Sequence, residues 1–137
     1  MDLATKRKTE LETIHVRLLN WGKWLRYDDT LAKLGYPTQA PFVFSPRKGG
    51  TIADPDAEHM EFVVSSLMVS GFGDGELFAF ILKVEYAERP EHMLGPVVVR
   101  ARDVSRRFRR PCSERSYYRH LTRAKIAVHH LAGPVKR

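Results

Sequence analysis

The sequence predicts an all-α fold, a small helical body of about five helices with a C-terminal helix-turn-helix. Three observations predict it. Apolar side chains recur at intervals of 3 and 4 residues in separate stretches, the signature of one buried helix face. Glycine, proline and capping residues fall between those stretches. A break at Pro111-Cys112-Ser113-Glu114 divides two basic segments that both carry helical spacing. A chain of 137 residues is one domain, or one core with a smaller lobe, and can bury a real hydrophobic centre. Residues 1–96 are expected to form the helical body and residues 97–137 the helix-turn-helix region, packed as one compact domain. There are no internal repeats.

Residues 1–7 read as a frayed basic leader. From Lys8, the positions Leu11, Ile14, Leu18, Trp21 and Leu25 predict a helix ending near Tyr27, where Asp28-Asp29 begins a polar break. Gly22 lies inside it at a propensity cost of about 1 kcal/mol relative to alanine, which points to a close approach by a neighbouring element. Residues 28–53 carry Gly35, Pro37, Pro41, Pro46, Gly49 and Gly50 and predict a long loop, with room for a helical turn from Leu31 to Leu34. Within it, Phe42-Val43-Phe44 needs burial or a partner. Asp54 and Pro55 suit the cap and first turn of a second helix, whose face is Met60, Val63, Val64, Leu67 and Met68 up to Gly71. Asp74 is the expected cap of a third helix burying Leu77, Phe80, Ile81 and Val84 and ending near Glu88. Val97-Val98-Val99 suits a short strand or a helix start. The spacing of Val99, Val104 and Phe108 favours a helix running to Phe108. The last helix has Ser113 as cap and Glu114 in its first turn. Its stripe is Tyr117, Leu121, Ala124, Val128 and Leu131, and Gly133-Pro134 stops it.

Charge is concentrated. The segment from Arg100 to Lys125 holds ten of the 23 Lys and Arg residues against two acids, while the whole chain carries +7. Everything outside the segment is close to neutral, and such a focus attracts a phosphate backbone. With Tyr117 and Leu121 facing inward, the opposite face of the last helix presents Arg115, Ser116, Arg119, His120 and Arg123. In a helix-turn-helix the second helix sets its first turns into the major groove. Arg115 and Arg119 are placed to reach base edges, and Ser116 and Tyr118 to contact bases or phosphates. Arg106, Arg107, Arg109 and Arg110 are expected to grip the DNA backbone. The alternative is a solvated basic face on an ordinary helical hairpin. The break from Phe108 to Ser113 is longer than the common turn of about three or four residues and lacks glycine.

Other constellations point away from catalysis. Trp21 lies on the apolar stripe and reads as core, while Trp24 lies off its centre with room to be partly exposed. A two-Trp platform for stacking single-stranded bases would come with neighbouring basic groups. His129-His130 cannot share a helix face, and Cys112 and His120 have no further ligand nearby, so no metal site is expected. The single cysteine excludes an internal disulfide and a paired-cysteine zinc site. Cys112, beside several arginines, is a candidate for a depressed pKa. Gly71 to Gly75 lacks the Lys-Ser/Thr of a phosphate-binding loop and reads as a turn. Asp54, Asp56, Glu58 and Glu61, grouped at one helix start, complement its dipole more readily than they form a nuclease site. No apolar run approaches the roughly 20 residues that span a bilayer, and the first ten residues lack a signal-peptide core. The expectation is a soluble cytoplasmic protein, not an enzyme, with no cofactor, no membrane association and no small-molecule substrate.

The order of elements resembles the phage late-gene antitermination proteins of the Q type, the branch without a zinc motif. The resemblance spans roughly residues 14–132. It rests on the Asn20-Trp21-Gly22-Lys23-Trp24 helix, the Gly/Pro-rich linker, the acid-led helix from Asp54 and the helix from Leu77 through Tyr86. It closes with the Cys112-Ser113-Glu114 cap leading into residues 117–124, which is also similar to the C-terminal helix-turn-helix of sigma factors. The resemblance implies binding to double-stranded DNA near a late promoter through the Arg115 to Arg123 face. It further implies loading onto bacterial RNA polymerase, with or without its sigma factor, in the host cytoplasm, and read-through of pauses and terminators. By analogy the Trp21 helix and residues 54–88 form the body at polymerase, with the 28–53 loop free to contact it. The alternative is a helix-turn-helix repressor or activator acting by DNA binding alone. A small DNA-processing enzyme would need a convergent acid, His or Cys set that the sequence does not suggest.

Overall fold

The computed structural model describes residues 3–33, 54–69 and 73–136. Among these residues the fold is all-α. Its helices are α1 (Leu3–Lys33), α2 (Pro55–Val69), α3 (Gly75–Leu82), α4 (Val97–Phe108) and α5 (Glu114–Ala132). A π-helical turn, Lys83–Ala87, prolongs α3, and a short 3-10 turn covers Glu91–Met93. No strand occurs among the described residues, so Val97-Val98-Val99 opens a helix.

α1 is longer than the sequence suggests at both ends. Its helix begins at Leu3, so the basic leader is its first turns. There the Thr9 and Thr13 hydroxyls donate to the carbonyls four residues back, at 3.0 Å each. Asp28-Asp29 does not stop it, and the backbone stays helical to Lys33. Aspartate carries only a modest helix penalty, and the first strong breaker downstream is Gly35. The rest of the expected loop, residues 34–53 with Phe42-Val43-Phe44, lies outside the described residues.

Ile14, Leu18 and Trp21 are fully buried as the spacing predicts, and Trp24 is buried as well, so neither tryptophan offers a stacking surface. The Trp21 indole N–H donates to Glu61 at 2.9 Å, which satisfies its polar edge inside the core. Gly22 is required by contact: a Cβ there would lie 1.8 Å from the Tyr86 carbonyl oxygen of the π turn. The same carbonyl accepts a hydrogen bond from the Arg26 guanidinium at 2.6 Å. The widened turn therefore presses its backbone onto α1 where α1 has no side chain.

Asp54 caps α2, its carboxylate accepting the Ala57 amide at 2.9 Å. Met60, Val63, Val64 and Leu67 are buried, whereas Met68 turns outward and is exposed. Asp74 stands at the start of α3 but makes no side-chain cap; its carboxylate reaches Arg110 instead. Leu77, Ile81 and Val84 are buried, and half-buried Phe80 meets Phe108 edge-to-face at 5.6 Å between centroids.

α4 buries Ala101 and Val104 but leaves Val99 exposed, a second departure from the expected stripe. Arg100 takes the inward position, because Glu85 supplies a partner there. Its Nε lies 3.1 Å from the Glu85 carboxylate and a terminal nitrogen donates to the Gly95 carbonyl at 2.6 Å. The Tyr117 hydroxyl donates to the same carboxylate at 2.7 Å. Arg100, Glu85 and Tyr117 thus join α4, the π turn and α5.

α5 packs against α1, α2, α3 and α4. Tyr117, Leu121, Ala124 and Val128 are buried as predicted, but the last contact is Ala132, and Leu131 is exposed. Beyond α5 the chain is tied down at its end. The Arg17 guanidinium pairs with Asp56 at 2.7 Å and donates to the Gly133 carbonyl, also at 2.7 Å. Asp56 in turn accepts the Lys136 amide at 3.1 Å, and a His59 ring nitrogen lies 2.7 Å from the Ala132 carbonyl.

Candidate nucleic-acid interface

The basic segment divides into structural and outward-facing parts. Of its ten cations, Arg100 is buried in the ion pair with Glu85, and Lys125 is half-buried with its ammonium 5.8 Å from the Tyr86 ring centroid. The others lie toward solvent on α4, the connection and α5.

The connection is five residues, Arg109 to Ser113, and its backbone explains how it turns without glycine. Arg109 adopts a left-handed conformation, φ 55°, and ends α4. The Arg110 amide donates back to the Ser105 carbonyl at 3.3 Å. This is a left-handed helix cap made by an arginine, which strains its backbone by about 1–2 kcal/mol relative to glycine. Cys112 tucks partly inward against the core. Burial pushes its thiol pKa up, with only the Arg110 charge opposing, so the expected depressed pKa is overturned. Ser113 is the N-cap of α5: its side-chain oxygen accepts the Ser116 amide at 3.1 Å and its hydroxyl donates to that of Ser116.

The expected DNA-reading residues separate accordingly. Arg115, Tyr118, Arg119 and Arg123 are exposed, and the three arginines have no hydrogen bond or ion pair among the described residues. Ser116 is half-buried, with both amide and hydroxyl taken up by the cap, so it is a poor base reader. His120 is also half-buried and does not share the outward face. Its Nδ1 is enclosed without a hydrogen-bond partner among the described residues. Burial first, then Arg110, Arg123 and Arg119, lower its pKa against the opposing charge of Asp74, so the ring is neutral near pH 7.

The four expected phosphate-gripping residues are all exposed, but two are already paired. Arg107 lies 2.9 Å from Glu76 and Arg110 lies 3.3 Å from Asp74, both acids at the start of α3. These exposed pairs are weak and yield readily to a competing phosphate. Arg106 and Arg109 have no such partner among the described residues. The sequence could not reveal the pairing, because 31 and 36 residues separate the partners. The exposed cations without a partner among the described residues are therefore Arg115, Arg119 and Arg123 on α5, Arg102 and Arg106 on α4, and Arg109 in the connection.

The acids grouped at the start of α2 are mostly engaged structurally. Asp54 caps α2 and accepts from Asn20, Asp56 pairs with Arg17, and Glu61 accepts from Trp21. Among the described residues no group of three His, Cys, Asp or Glu side chains is arranged to hold a metal ion. No helix among them is long and apolar enough to cross a membrane. No protein-family model, no curated protein and no solved structure matches the chain.

Proposed function

We propose that the chain is a phage transcription antiterminator that binds double-stranded DNA near a late promoter through α5 and then modifies host RNA polymerase. The observation that carries the DNA-binding part is the row Arg115, Arg119 and Arg123, one helical turn apart, exposed and without partners among the described residues. A guanidinium held on a rigid helix and free of intramolecular acids is available for bidentate pairing with guanine. Arg106 and Arg109 supply phosphate contacts beside it, and Arg107 and Arg110 join as Asp74 and Glu76 release them. The antitermination part rests on the order of elements described for the Q-type family.

Single-round transcription with bacterial RNA polymerase, on a late promoter followed by a terminator, tests the proposal. Read-through should rise with the protein present and fall back with Arg119→Ala. DNA binding that depends on Arg119 without any read-through would reduce the function to promoter regulation, and no DNA binding would remove both.

A further inference from the structure

Away from the arginine row, the N-terminal half of α1 crosses α5, with Glu10 and His129 3.9 Å apart at the crossing. Between them lies an open groove of about 540 Å³. Its volume falls within the range of about 300–1,000 Å³ typical of small-molecule sites. Ala4 and Leu11 give it apolar surface, extended by the aliphatic stems of Arg7, Lys8 and Lys125. Its charged heads are those three cations against one acid, Glu12.

Lys125 sets the polarity of this groove. It is half-buried, and among the described residues no carboxylate lies within ion-pair distance of its ammonium, whose described contact is the Tyr86 ring. Beside it His15 is held in place, one ring nitrogen 2.7 Å from the Tyr86 hydroxyl and the other 3.7 Å from Glu91. A partly desolvated cation lacking an ion pair favours an incoming anion. Burial lowers the pKa of Lys125 against the raising influence of Glu85 and Glu91, as expected for an ammonium short of a close counter-charge.

We infer that the α1–α5 groove binds an amphiphilic organic anion, its apolar body on Leu11 and Ala4 and its acidic head on Lys125 with Arg7 and Lys8. None of the α5 arginines lines this groove, so anion binding there does not depend on whether the chain binds DNA. Charge complementarity selects the anion, and the apolar floor selects an organic body over a free inorganic ion.

The probe is 8-anilinonaphthalene-1-sulfonate, an aromatic sulfonate whose fluorescence rises on burial, titrated into the full chain. Saturable one-site binding is expected, displaced by decanoate but not by the neutral decan-1-ol. Lys125→Gln should weaken binding about tenfold or more, with far-UV circular dichroism unchanged. Glu12→Gln, on the exposed rim, should tighten it, which keeps the test decisive if Lys125→Gln proves unstable. Non-saturable binding, equal displacement by decan-1-ol, or affinities indifferent to both substitutions would overturn the inference. Displacement by duplex DNA that vanishes in Arg119→Ala would also overturn it, assigning the groove cations to the DNA face.

Discussion

Asp56 is a carboxylate almost wholly withdrawn from solvent and held by two elements that are far apart in sequence. Burial alone would raise its pKa, but hydrogen bonds from Arg17 and the Lys136 amide, with the Arg17 and His59 charges, hold it below the usual aspartate value of 3.8. A carboxylate depressed in the folded state contributes stability above its unfolded pKa, and that contribution is lost as pH falls toward the folded value. Thermal unfolding should therefore show stability falling below about pH 4, with a smaller acid dependence in Asp56→Asn. Removing one partner of a buried pair strands the other, so Asp56→Ala should cost about 3–5 kcal/mol in chemical denaturation at neutral pH. A loss below about 1 kcal/mol, the range of exposed pairs, would mean that this pair is solvated. The sequence gives no sign of this pair, because Asp56 there reads only as an acid favouring the start of a helix.

At the scale of elements, the α4–α5 connection shows how two helices can be joined across a short break without a glycine. Its length and missing glycine argued against a tight turn, and Arg109 resolves this by adopting φ 55° itself. Arg109→Gly should relieve that strain and stabilise the protein by up to about 1 kcal/mol after the added freedom of the unfolded chain. Equilibrium unfolding would reveal it, and a loss of stability would mean that the Arg109 side chain makes contacts that outweigh the strain. The helices themselves were largely legible, because caps at Asp54 and Ser113 and stripes such as Tyr117 to Val128 are local signals. What was not legible depends on tertiary partners. Val99 and Leu131 are apolar yet exposed, while Arg100 is inward because Glu85, remote in sequence, receives it. Helix α1 runs past Asp28-Asp29 to Lys33, because two aspartates discourage a helix without stopping it. Likewise, the pairing of Arg107 and Arg110 with α3, and the groove joining α1 to Lys125, bring together segments that no spacing pattern connects.

Across the whole molecule, α5 serves as both core and candidate interface. One side packs on α1, α2 and α3, and its end is fixed by Arg17, Asp56 and His59. Residues 97–137 alone would expose Tyr117, Leu121, Ala124 and Val128 and leave Arg100 without Glu85. As an isolated fragment they should be largely unfolded by far-UV circular dichroism, and a cooperatively folded fragment would make the two regions separable domains. The same integration means that a substitution in the core face of α5 reaches the whole body: Leu121→Ala should cost about 2–5 kcal/mol. The outward face carries no such burden, so its arginines can be changed without unfolding the chain. That separation lets the α5 arginines be removed together in a folded chain. The measurement is the affinity for mixed-sequence duplex DNA as a function of salt, by fluorescence anisotropy, for the native chain and for the combined Arg115→Ala, Arg119→Ala, Arg123→Ala variant. The native chain should lose affinity steeply with salt, and the variant's log–log slope should be shallower by as much as about 3 units, near 0.9 for each arginine that meets a phosphate. A native slope near zero, or one unchanged in a folded variant, would contradict a DNA-binding face on α5.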